Sequence, residues 1–454
     1  MRNSPDGAST PALTNWAGNI VFDPERFEPV ADLDQAREVV AAASRLRVLG
    51  SGHSFNAIAD SSAVLLSLSG IEPEVDIDAE ARRVRASGWI TYAALGQAVH
   101  EAGFALHNFA SLPHISVAGS IATGTHGSGD RVGNLASAVA ALEFIGPDGE
   151  SRTVERGDAD FPGSVVHLGA LGVVTAVTLD LLPTFAMRQY VYDGLPFDAA
   201  IAHFDELTSS AYSTSMFTVW GAEPSFNYWV KQRVSDQTQP FPALQRFGAA
   251  LADGPRHPIP GVDPAASTEQ QGRTGPAHER LPHFRPEFTP SAGEELQSEY
   301  LVDRADAPAA LEALRGLSAR LAPVVQVSEV RTMAADEMWL SPAYRRDTVG
   351  FHFTWIRDYE SVEPVMALVE HALGAFGPRP HWGKLFTIPI TEVRSQYPRM
   401  GEFEKLRERV DPEEKFANDF SSELLGGIAR LRVVPVHSVG RAFCGHSRGH
   451  SGGS

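Results

Sequence analysis

Hydrophobic and polar positions in residues 30–180 switch repeatedly between a helical and an extended period, which predicts alternating helices and strands. Helices are predicted at 32–43 and 91–102, where Asp32 and Thr91 stand at the N-terminal cap. Strands are predicted at 47–49, 64–68, 75–77, 83–86, 138–145 and 172–182. Hairpins are expected to join 75–77 to 83–86, and 138–145 to a strand beyond the turn at 147–149.

Residues 185–380 are richer in aromatic residues and prolines, and their pattern changes accordingly. Strands are predicted at 324–332 and 348–355, and helices at 307–321 and 362–376. The stretch 240–290 combines proline, glycine and polar residues with little periodicity, so we expect a long surface loop there. From residue 424 onward no pattern is visible, and we expect a disordered tail.

Composition narrows the class of protein. With 454 residues, and domains of roughly 150 residues, two or three domains are expected. The 38 Lys and Arg against 56 Asp and Glu give a net charge of −18, which disfavours nucleic-acid and membrane-surface binding. The single cysteine, Cys444, excludes an internal disulfide. A polar start and the lack of a long apolar run lead us to expect a cytoplasmic protein.

A glycine-containing loop, G-S-G-H-S-F-N at 50–56, directly follows a predicted strand. Its first two glycines match the start of a dinucleotide fingerprint, but Phe55 takes the place of the third, and no P-loop lysine follows. By itself this loop is equally consistent with a tight turn.

A second loop, A-S-L-P-H-I-S-V-A-G-S-I-A-T-G-T-H-G-S-G at 110–129, interleaves glycines with small hydroxyl residues. Glycine allows a ligand to approach the backbone, and successive N–H groups can bind an anion without lysine or arginine. The loop is therefore a candidate pyrophosphate site in this acidic chain. The alternative is a flexible surface loop, which the interspersed apolar residues Leu112, Ile115, Val117 and Ile121 disfavour.

Chemically useful side chains occur on two predicted strands and in one short motif. Glu329 and Arg331 are two residues apart, so a strand places both on one face, and His352 and Thr354 share a face in the same way. Lys384 ends the motif H-W-G-K. Taken alone, these residues could equally be an exposed ion network, a solvent-facing strand and a surface lysine.

The two loops together resemble the vanillyl-alcohol-oxidase flavoprotein superfamily and, within it, the alditol oxidases that act on xylitol and sorbitol. The resemblance extends through T-N-W-A-G-N-I at 14–20, Q-S-E-Y at 297–300, H-W-G-K at 381–384 and F-A-N at 416–418. It covers roughly residues 14–420.

The resemblance implies an α+β fold of two domains. An FAD-binding domain of the PCMH type is expected at 1–184, and a cap domain built on an antiparallel sheet at 185–384. Residues 385–424 are expected to return to the FAD domain. The tail 425–454 has no counterpart in the family. Because His437, Cys444, His446 and His450 are irregularly spaced in that tail, we expect no metal site there.

The resemblance also implies FAD as cofactor, bonded covalently through His53 to the 8α-methyl carbon of the flavin. An electron-withdrawing imidazole would raise the flavin potential. The other cofactor contacts that it implies are Val48, Leu49, Gly50, Ser51, Gly52, Ser54, Ser111, Ser116, Gly119, Ser120, Ala122, Thr123, Gly124, His126, Gly127, Val173 and His381.

Polyol contacts are implied for Ser111, Glu329, Arg331, Thr354 and Lys384, with His352 beside the reacting carbon. Glu329, Arg331, His352 and Lys384 would be catalytic: the two cations stabilise alkoxide charge, and either His352 or a water takes the proton. The expected reaction oxidises a terminal alcohol of an acyclic alditol and reduces O2 to H2O2, in a monomer. The alternatives are an aldonolactone oxidase or dehydrogenase and a catalytically silent flavin-binding protein.

Overall fold

The structure is a computed structural model that describes residues 12–234, 242–288 and 294–426. Its helices are α1 Leu33–Ala42, α2 Tyr92–Glu101, α3 Val117–Ala122, α4 Phe161–Val165, α5 Phe197–Ala202, α6 Phe204–Thr208, α7 Ala277–Arg280, α8 Ala307–Arg315, α9 Ser318–Leu321, α10 Tyr359–Leu373, α11 Ile390–Ser395, α12 Met400–Val410 and α13 Asp419–Leu424. Its strands are β1 Arg26–Pro29, β2 Leu46–Val48, β3 Val64–Ser67, β4 Val75–Asp78, β5 Arg83–Ser87, β6 Phe104–Ala105, β7 Val139–Ile145, β8 Ser151–Glu155, β9 Val173–Asp180, β10 Leu182–Pro183, β11 Ala186–Pro196, β12 Ser213–Thr218, β13 Ser225–Arg233, β14 Ala250–Leu251, β15 Gly275–Pro276, β16 Leu296–Asp303, β17 Val325–Met333, β18 Thr348–Trp355 and β19 Arg379–Pro380.

Two sheets are built from the first 180 residues. A small parallel sheet has the order β1-β3-β2, and an antiparallel sheet has the order β4-β5-β9-β7-β8. Both predicted hairpins are present, as β4–β5 and β7–β8. The predicted caps are also confirmed, because the side chain of Asp32 accepts from Gln35 N and that of Thr91 from Ala94 N.

A larger antiparallel sheet follows in the chain, with the order β14-β11-β13-β12-β17-β18-β16-β19 and with β15 paired to β11. Nearly every side chain of β17 and β18 is buried, because one face packs on the aromatic core and the other faces a cavity. Mixed helices and antiparallel sheets confirm the α+β class.

The predicted helices at 307–321 and 362–376 differ from the structure, the first by an interruption and the second in its bounds. The first is two helices, α8 and α9, interrupted at Gly316. The second begins three residues earlier, because the side chain of Asp358 accepts from Ser361 N and caps α10.

The expectation of a long surface loop at 240–290 is wrong. Within its described residues this segment contains β14, β15 and α7, and Thr268, Gln270 and His283 are buried. Its backbone carbonyls accept hydrogen bonds from the large sheet, for example from Gln189 Nε2 to Thr268 O at 3.2 Å. Such packing through carbonyls leaves no hydrophobic period for a sequence reading to detect.

The last described segment packs against the first parallel sheet. Leu46 N donates to Lys415 O at 2.8 Å, and the buried Arg47 donates to Phe416 O at 2.7 Å. Asn418 Nδ2 donates to the carbonyls of Ala57 and Asp60, both at 2.9 Å. These contacts are those of a C-terminal segment that returns to the N-terminal sheets. The domain boundaries stay a prediction, and the predicted disordered tail lies almost entirely outside the described residues.

None of the helices within the described ranges is long and apolar enough to cross a membrane. The expected cytoplasmic location stays a prediction.

Candidate active site

A cavity of about 260 Å³ lies between the two glycine-containing loops and one face of the large sheet. The loop at 50–54 and residues 110–123 line one side of it. Strands β16, β17 and β18 line the other side, together with the turn that carries Lys384.

The first glycine-containing loop leaves the end of β2 and presents its backbone to the cavity. Gly52 has a φ of +68°, which favours glycine. The backbone N–H groups of residues 50–54 have no protein acceptor within the ranges that the structure describes. Successive unpaired N–H groups form a concavity that binds anions.

His53 lies near the middle of this loop. Trp16 stacks on it, with ring centroids 5.6 Å apart and planes 15° apart. Burial lowers the pKa of His53 to about 4, so the imidazole is neutral at pH 7. Its Nδ1 is buried and has no hydrogen-bond partner in the described part of the protein.

The second loop touches the first at Ser116, whose backbone N–H donates to Ser51 Oγ at 3.1 Å. Glycine is favoured on both sides of this contact. A Cβ atom at Gly50 or at Gly119 would come within 2.7 or 2.9 Å of Ser116 Oγ. The backbone N–H of Gly119 also has no acceptor among the described residues.

Three predicted cofactor contacts lie outside the cavity lining: Gly124, Gly127 and Val173. Gly124, at φ +65°, packs on Pro342, and a Cβ atom at Gly127 would lie 2.2 Å from Phe109 O. Both glycines therefore serve close backbone packing. The side chain of Val173 belongs to a separate apolar cluster, and its neighbours Gly172 and Val174 line the cavity instead.

The sheet face opposite the loops carries the predicted substrate residues. In register, His352 on β18 lies between Glu299 on β16 and Glu329 on β17. Thr354 lies one step along the same face, beside Gln297. All of these side chains are buried, so the solvent-exposed readings of Glu329, Arg331, His352 and Thr354 are wrong.

Glu299 is the centre of the charged groups on this face, and its side chain has no exposed surface. Its carboxylate lies 2.7 Å from Lys384 Nζ, 2.8 Å from Arg331 Nη2 and 3.1 Å from His126 Nε2. Burial alone would raise the pKa of Glu299, but these neighbours outweigh it and hold the pKa well below its usual range. Glu299 is therefore an ionised carboxylate shared by two cations.

Lys384 is held by a tight turn, in which its backbone N donates to His381 O at 3.0 Å. Burial lowers the pKa of Lys384, and the attraction of Glu299 partly offsets this effect. Its Nζ donates to His352 Nδ1 at 2.9 Å, and His352 Nε2 lies 3.1 Å from Thr354 Oγ1. With Nδ1 accepting, His352 carries its hydrogen on Nε2. Burial, and then Lys384, lower the pKa of His352 well below its usual value.

The glycine-containing loops and the sheet side of the cavity are connected directly. Phe55 N donates to Gly383 O at 2.8 Å, and Asn56 Nδ2 donates to Lys384 O at 2.8 Å. Arg331 Nη1 donates to Ser111 Oγ at 3.1 Å. The position of Lys384 and Arg331 is thus tied to the same loops that surround His53.

Most predicted residues meet in one cavity. Those that line it are Val48, Leu49, Gly50, Ser51, Gly52, His53, Ser54, Ser111, Ser116, Gly119, Ser120, Ala122, Thr123, His126, Glu329, Arg331, His352, Thr354, His381 and Lys384. The roles predicted for them stay predictions.

Two important residues were missed as site residues. Glu299 lies in the Q-S-E-Y motif, and its spacing of two from Gln297 could have marked a shared strand face. His283 was missed because it lies in the segment mistaken for a surface loop. Its Nε2 lies 2.8 Å from Glu329 Oε1.

Comparisons with known proteins agree with this geometry. A family model described as an FAD binding domain matches residues 24–155, and one described as D-arabinono-1,4-lactone oxidase matches residues 294–424. An alditol oxidase from a Streptomyces species is 47% identical over 92% of this chain and 99% of that protein. An L-gulono-1,4-lactone dehydrogenase from Mycobacterium tuberculosis is 28% identical over 92% of this chain and 100% of that protein.

Among solved structures, a solvent-stable cholesterol oxidase superposes with a TM-score of 0.75 at 15% identity, over 91% of this chain and 97% of that chain. A cholesterol oxidase from B. sterolicum gives the same TM-score at 14% identity, over 94% and 99%. At these identities the likeness establishes the fold, which is that of the vanillyl-alcohol-oxidase flavoproteins.

Fold and matched domain together define an FAD-dependent oxidoreductase of the vanillyl-alcohol-oxidase type. Within that class, the chain belongs to the alditol oxidase family. The predicted fold class, family and use of FAD are thereby confirmed.

The residues present fit FAD on the structure's own evidence. Unpaired N–H groups at 50–54 and at Gly119 suit a pyrophosphate, and Gly50 and Gly119 allow the two loops to meet closely at Ser116. His53 offers a neutral ring nitrogen with no protein partner. These two loops would hold the cofactor, with the large sheet facing it.

Replacing Glu299 by glutamine should destabilise the protein, because two buried cations lose their shared carboxylate. We expect the free energy of unfolding to fall by about 3 kcal/mol, measured by urea denaturation. The matched control is Glu370→Gln, since Glu370 is also buried but accepts from neutral donors, Tyr300 OH and Thr387 N. Equal losses in the two variants would contradict the central role of Glu299.

Proposed function

We propose that the protein oxidises the terminal primary alcohol of an acyclic alditol, such as xylitol or sorbitol, to the aldehyde. The observation that carries this proposal is that Ser111, Glu329, Arg331, Thr354 and Lys384 all line the same cavity. It presents both donors and acceptors beside the FAD loops. A saturated polyol has no charged anchor, so several such hydrogen bonds must orient one terminal carbon.

In the proposed reaction, RCH2OH and O2 give RCHO and H2O2. The alcohol loses its hydroxyl proton, and the carbon-bound hydrogen leaves with the electron pair of its C–H bond. FAD, held by the two glycine-containing loops, would supply the acceptor for that hydride and the two-electron reduction of O2.

Arg331 and Lys384 are suited to stabilise the alkoxide charge as the hydroxyl proton leaves. Both are buried cations, so their attraction for an oxygen anion is stronger than in water. In the described arrangement both are paired with Glu299, which keeps them in position before substrate binds. Glu329 would accept hydrogen bonds from substrate hydroxyls, and Ser111 and Thr354 would bind further hydroxyls.

We propose His352 as the proton acceptor, in preference to a bound water. Its pKa lies well below its usual value, so the ring is neutral and has a lone pair on Nδ1. Lys384 Nζ occupies that lone pair at 2.9 Å. If Nζ turns to the substrate oxygen, Nδ1 is freed to take the proton, while Nε2–H continues to donate to Thr354.

We further propose that His53 holds the flavin covalently. The support is its neutral ring and the unpartnered Nδ1, which is the kind of nitrogen that forms such a bond. The tryptophan stacked on the ring restricts its rotation.

A second candidate is an aldonolactone oxidase or dehydrogenase, in accordance with the description of the family model over residues 294–424. The lactone-oxidising relative is more distant, at 28% identity against 47% for the alditol oxidase. We therefore place the alditol first.

The substrate assay decides between these candidates. We expect oxygen consumption and stoichiometric peroxide with xylitol and sorbitol, and a kcat/KM at least about tenfold higher than with L-gulono-1,4-lactone, which lacks the open chain of hydroxyls. Boiled enzyme and added catalase are the controls. Faster turnover of the lactone would overturn the proposed substrate class.

The covalent link is tested by acid precipitation. The wild-type pellet should stay yellow, and the pellet of His53→Ala should be white with FAD in the supernatant, because the variant lacks the bonding nitrogen. The absorbance of both fractions measures this. His126→Ala is a matched control that removes another histidine of the cavity and should keep its pellet yellow. A yellow pellet from His53→Ala would refute the tether.

Lys384→Ala should lower kcat/KM for xylitol by about 100-fold or more, because one charge-stabilising donor is lost, while flavin content stays unchanged. In the wild type, kcat/KM should fall at alkaline pH as Lys384 loses its proton, with an apparent pKa below that of free lysine. Glu299→Gln should move this limb to lower pH, since Glu299 raises the pKa of Lys384. Near-normal kinetics of Lys384→Ala would remove this residue from the mechanism.

A further inference from the structure

We propose that Lys231 and His283 are positioning residues for the substrate-binding carboxylate of Glu329. Lys231 sets the tautomer of His283, and His283 thereby holds Glu329 ready to accept from substrate hydroxyls. The inference rests on the proposed function, because it concerns how Glu329 binds the substrate.

The three side chains form one buried chain from the middle of the sheet to the cavity. Lys231 on β13 is 1% exposed, and its Nζ lies 3.1 Å from His283 Nδ1. His283 Nε2 lies 2.8 Å from Glu329 Oε1. The rings of Phe217 and Trp229 meet the His283 ring edge to face, with centroids 5.3 and 5.4 Å away. The imidazole is therefore fixed in orientation.

The direction of each hydrogen bond follows from counting donors and acceptors. The Lys231 ammonium has three donors and no acceptor. It faces three acceptors, the carbonyls of Leu281 and Pro282 and His283 Nδ1. Because Nδ1 accepts, a neutral His283 must carry its hydrogen on Nε2, where it donates to Glu329.

The charges agree with this assignment. Burial, followed by the charge of Lys231, lowers the pKa of His283 to about 4, so the ring is neutral. Burial lowers the pKa of Lys231 to about 7, against the attraction of Glu329, so Lys231 is the ammonium that donates to Nδ1 at pH values below that pKa. Burial would raise the pKa of Glu329, but Arg331 and His283 outweigh it and lower the pKa. Glu329 is thus an ionised acceptor, and the Nε2–H tautomer of His283 supplies it with a hydrogen-bond donor.

A purely structural reading is that Lys231 only ties down the turn at 281–282. The two interpretations predict different effects of a His283 substitution on KM when Glu329 has already been replaced. A structural loss acts in any background, whereas a loss transmitted through Glu329 disappears when Glu329 no longer has its charge.

The experiment is a double-mutant cycle of His283→Leu and Glu329→Gln, read as KM and kcat for xylitol with flavin content recorded for each protein. His283→Leu should raise KM about 10- to 100-fold, since a hydrogen bond to a charged acceptor is lost, with kcat changed less. In the Glu329→Gln background the same change should raise KM less than about twofold. His283→Gln, which restores an N–H donor, should recover most of the lost affinity.

His257→Leu is the matched control. His257 is equally buried in the same segment, packs on Phe284, and accepts from Ile259 N without contacting Glu329. We expect its KM to stay within about twofold of the wild type. If His257→Leu raises KM as much as His283→Leu, or if His283→Leu acts equally in both backgrounds, the proposal is wrong.

Should His283→Leu not accumulate as a folded flavoprotein, Lys231→Met replaces it in the cycle, because it frees His283 to take the other tautomer. A KM rise of about threefold or more that vanishes with Glu329→Gln supports the proposal, and an equal rise in both backgrounds overturns it. If the wild type prefers a lactone, the proposed substrate is wrong, and the same cycle on the lactone still decides the roles of Lys231 and His283.

Discussion

A carboxylate with no exposed surface must be neutralised inside the protein, and Glu299 imposes this constraint on the whole site. Its partners come from three separate parts of the chain: Arg331 from β17, Lys384 from the turn after β19, and His126 from the second glycine-containing loop. Since an unpaired buried charge is very costly, these parts must come together whenever the protein folds. The geometry of the cavity follows from that requirement.

The same constraint joins cofactor binding to substrate binding. Backbone and amide hydrogen bonds tie residues 55 and 56 to the Lys384 turn, and Arg331 donates to Ser111. The loops predicted to hold the flavin therefore also hold Lys384 and Arg331, the two cations predicted to face the substrate. A neutral polyol suits a wall in which cations are already paired with carboxylates, because it adds hydrogen bonds and brings no unpaired charge.

Much of the fold and site could be predicted from local signals. The caps at Asp32 and Thr91, the two hairpins and the alternation on β17 and β18 are local, so the pattern is visible in a few residues. The prediction for 240–290 failed because side chains on distant strands hold this segment in place by donating hydrogen bonds to its carbonyls. Gly124, Gly127 and Val173 lie outside the cavity lining, and a glycine or valine looks the same in a sequence whether it meets a ligand or another chain segment.

The sequence by itself determined the chemistry that was possible: two loops able to bind a dinucleotide, a histidine among them, and carboxylates and cations at strand spacing. It also determined the family, through motifs carried by contiguous residues. Only the tertiary structure decided that Glu299 is the shared partner of Lys384 and Arg331. It also decided that His283 contacts Glu329 and that Lys231 contacts His283. The reason is physical: ion pairing and burial depend on distances between residues far apart in the chain, and no local pattern encodes those distances.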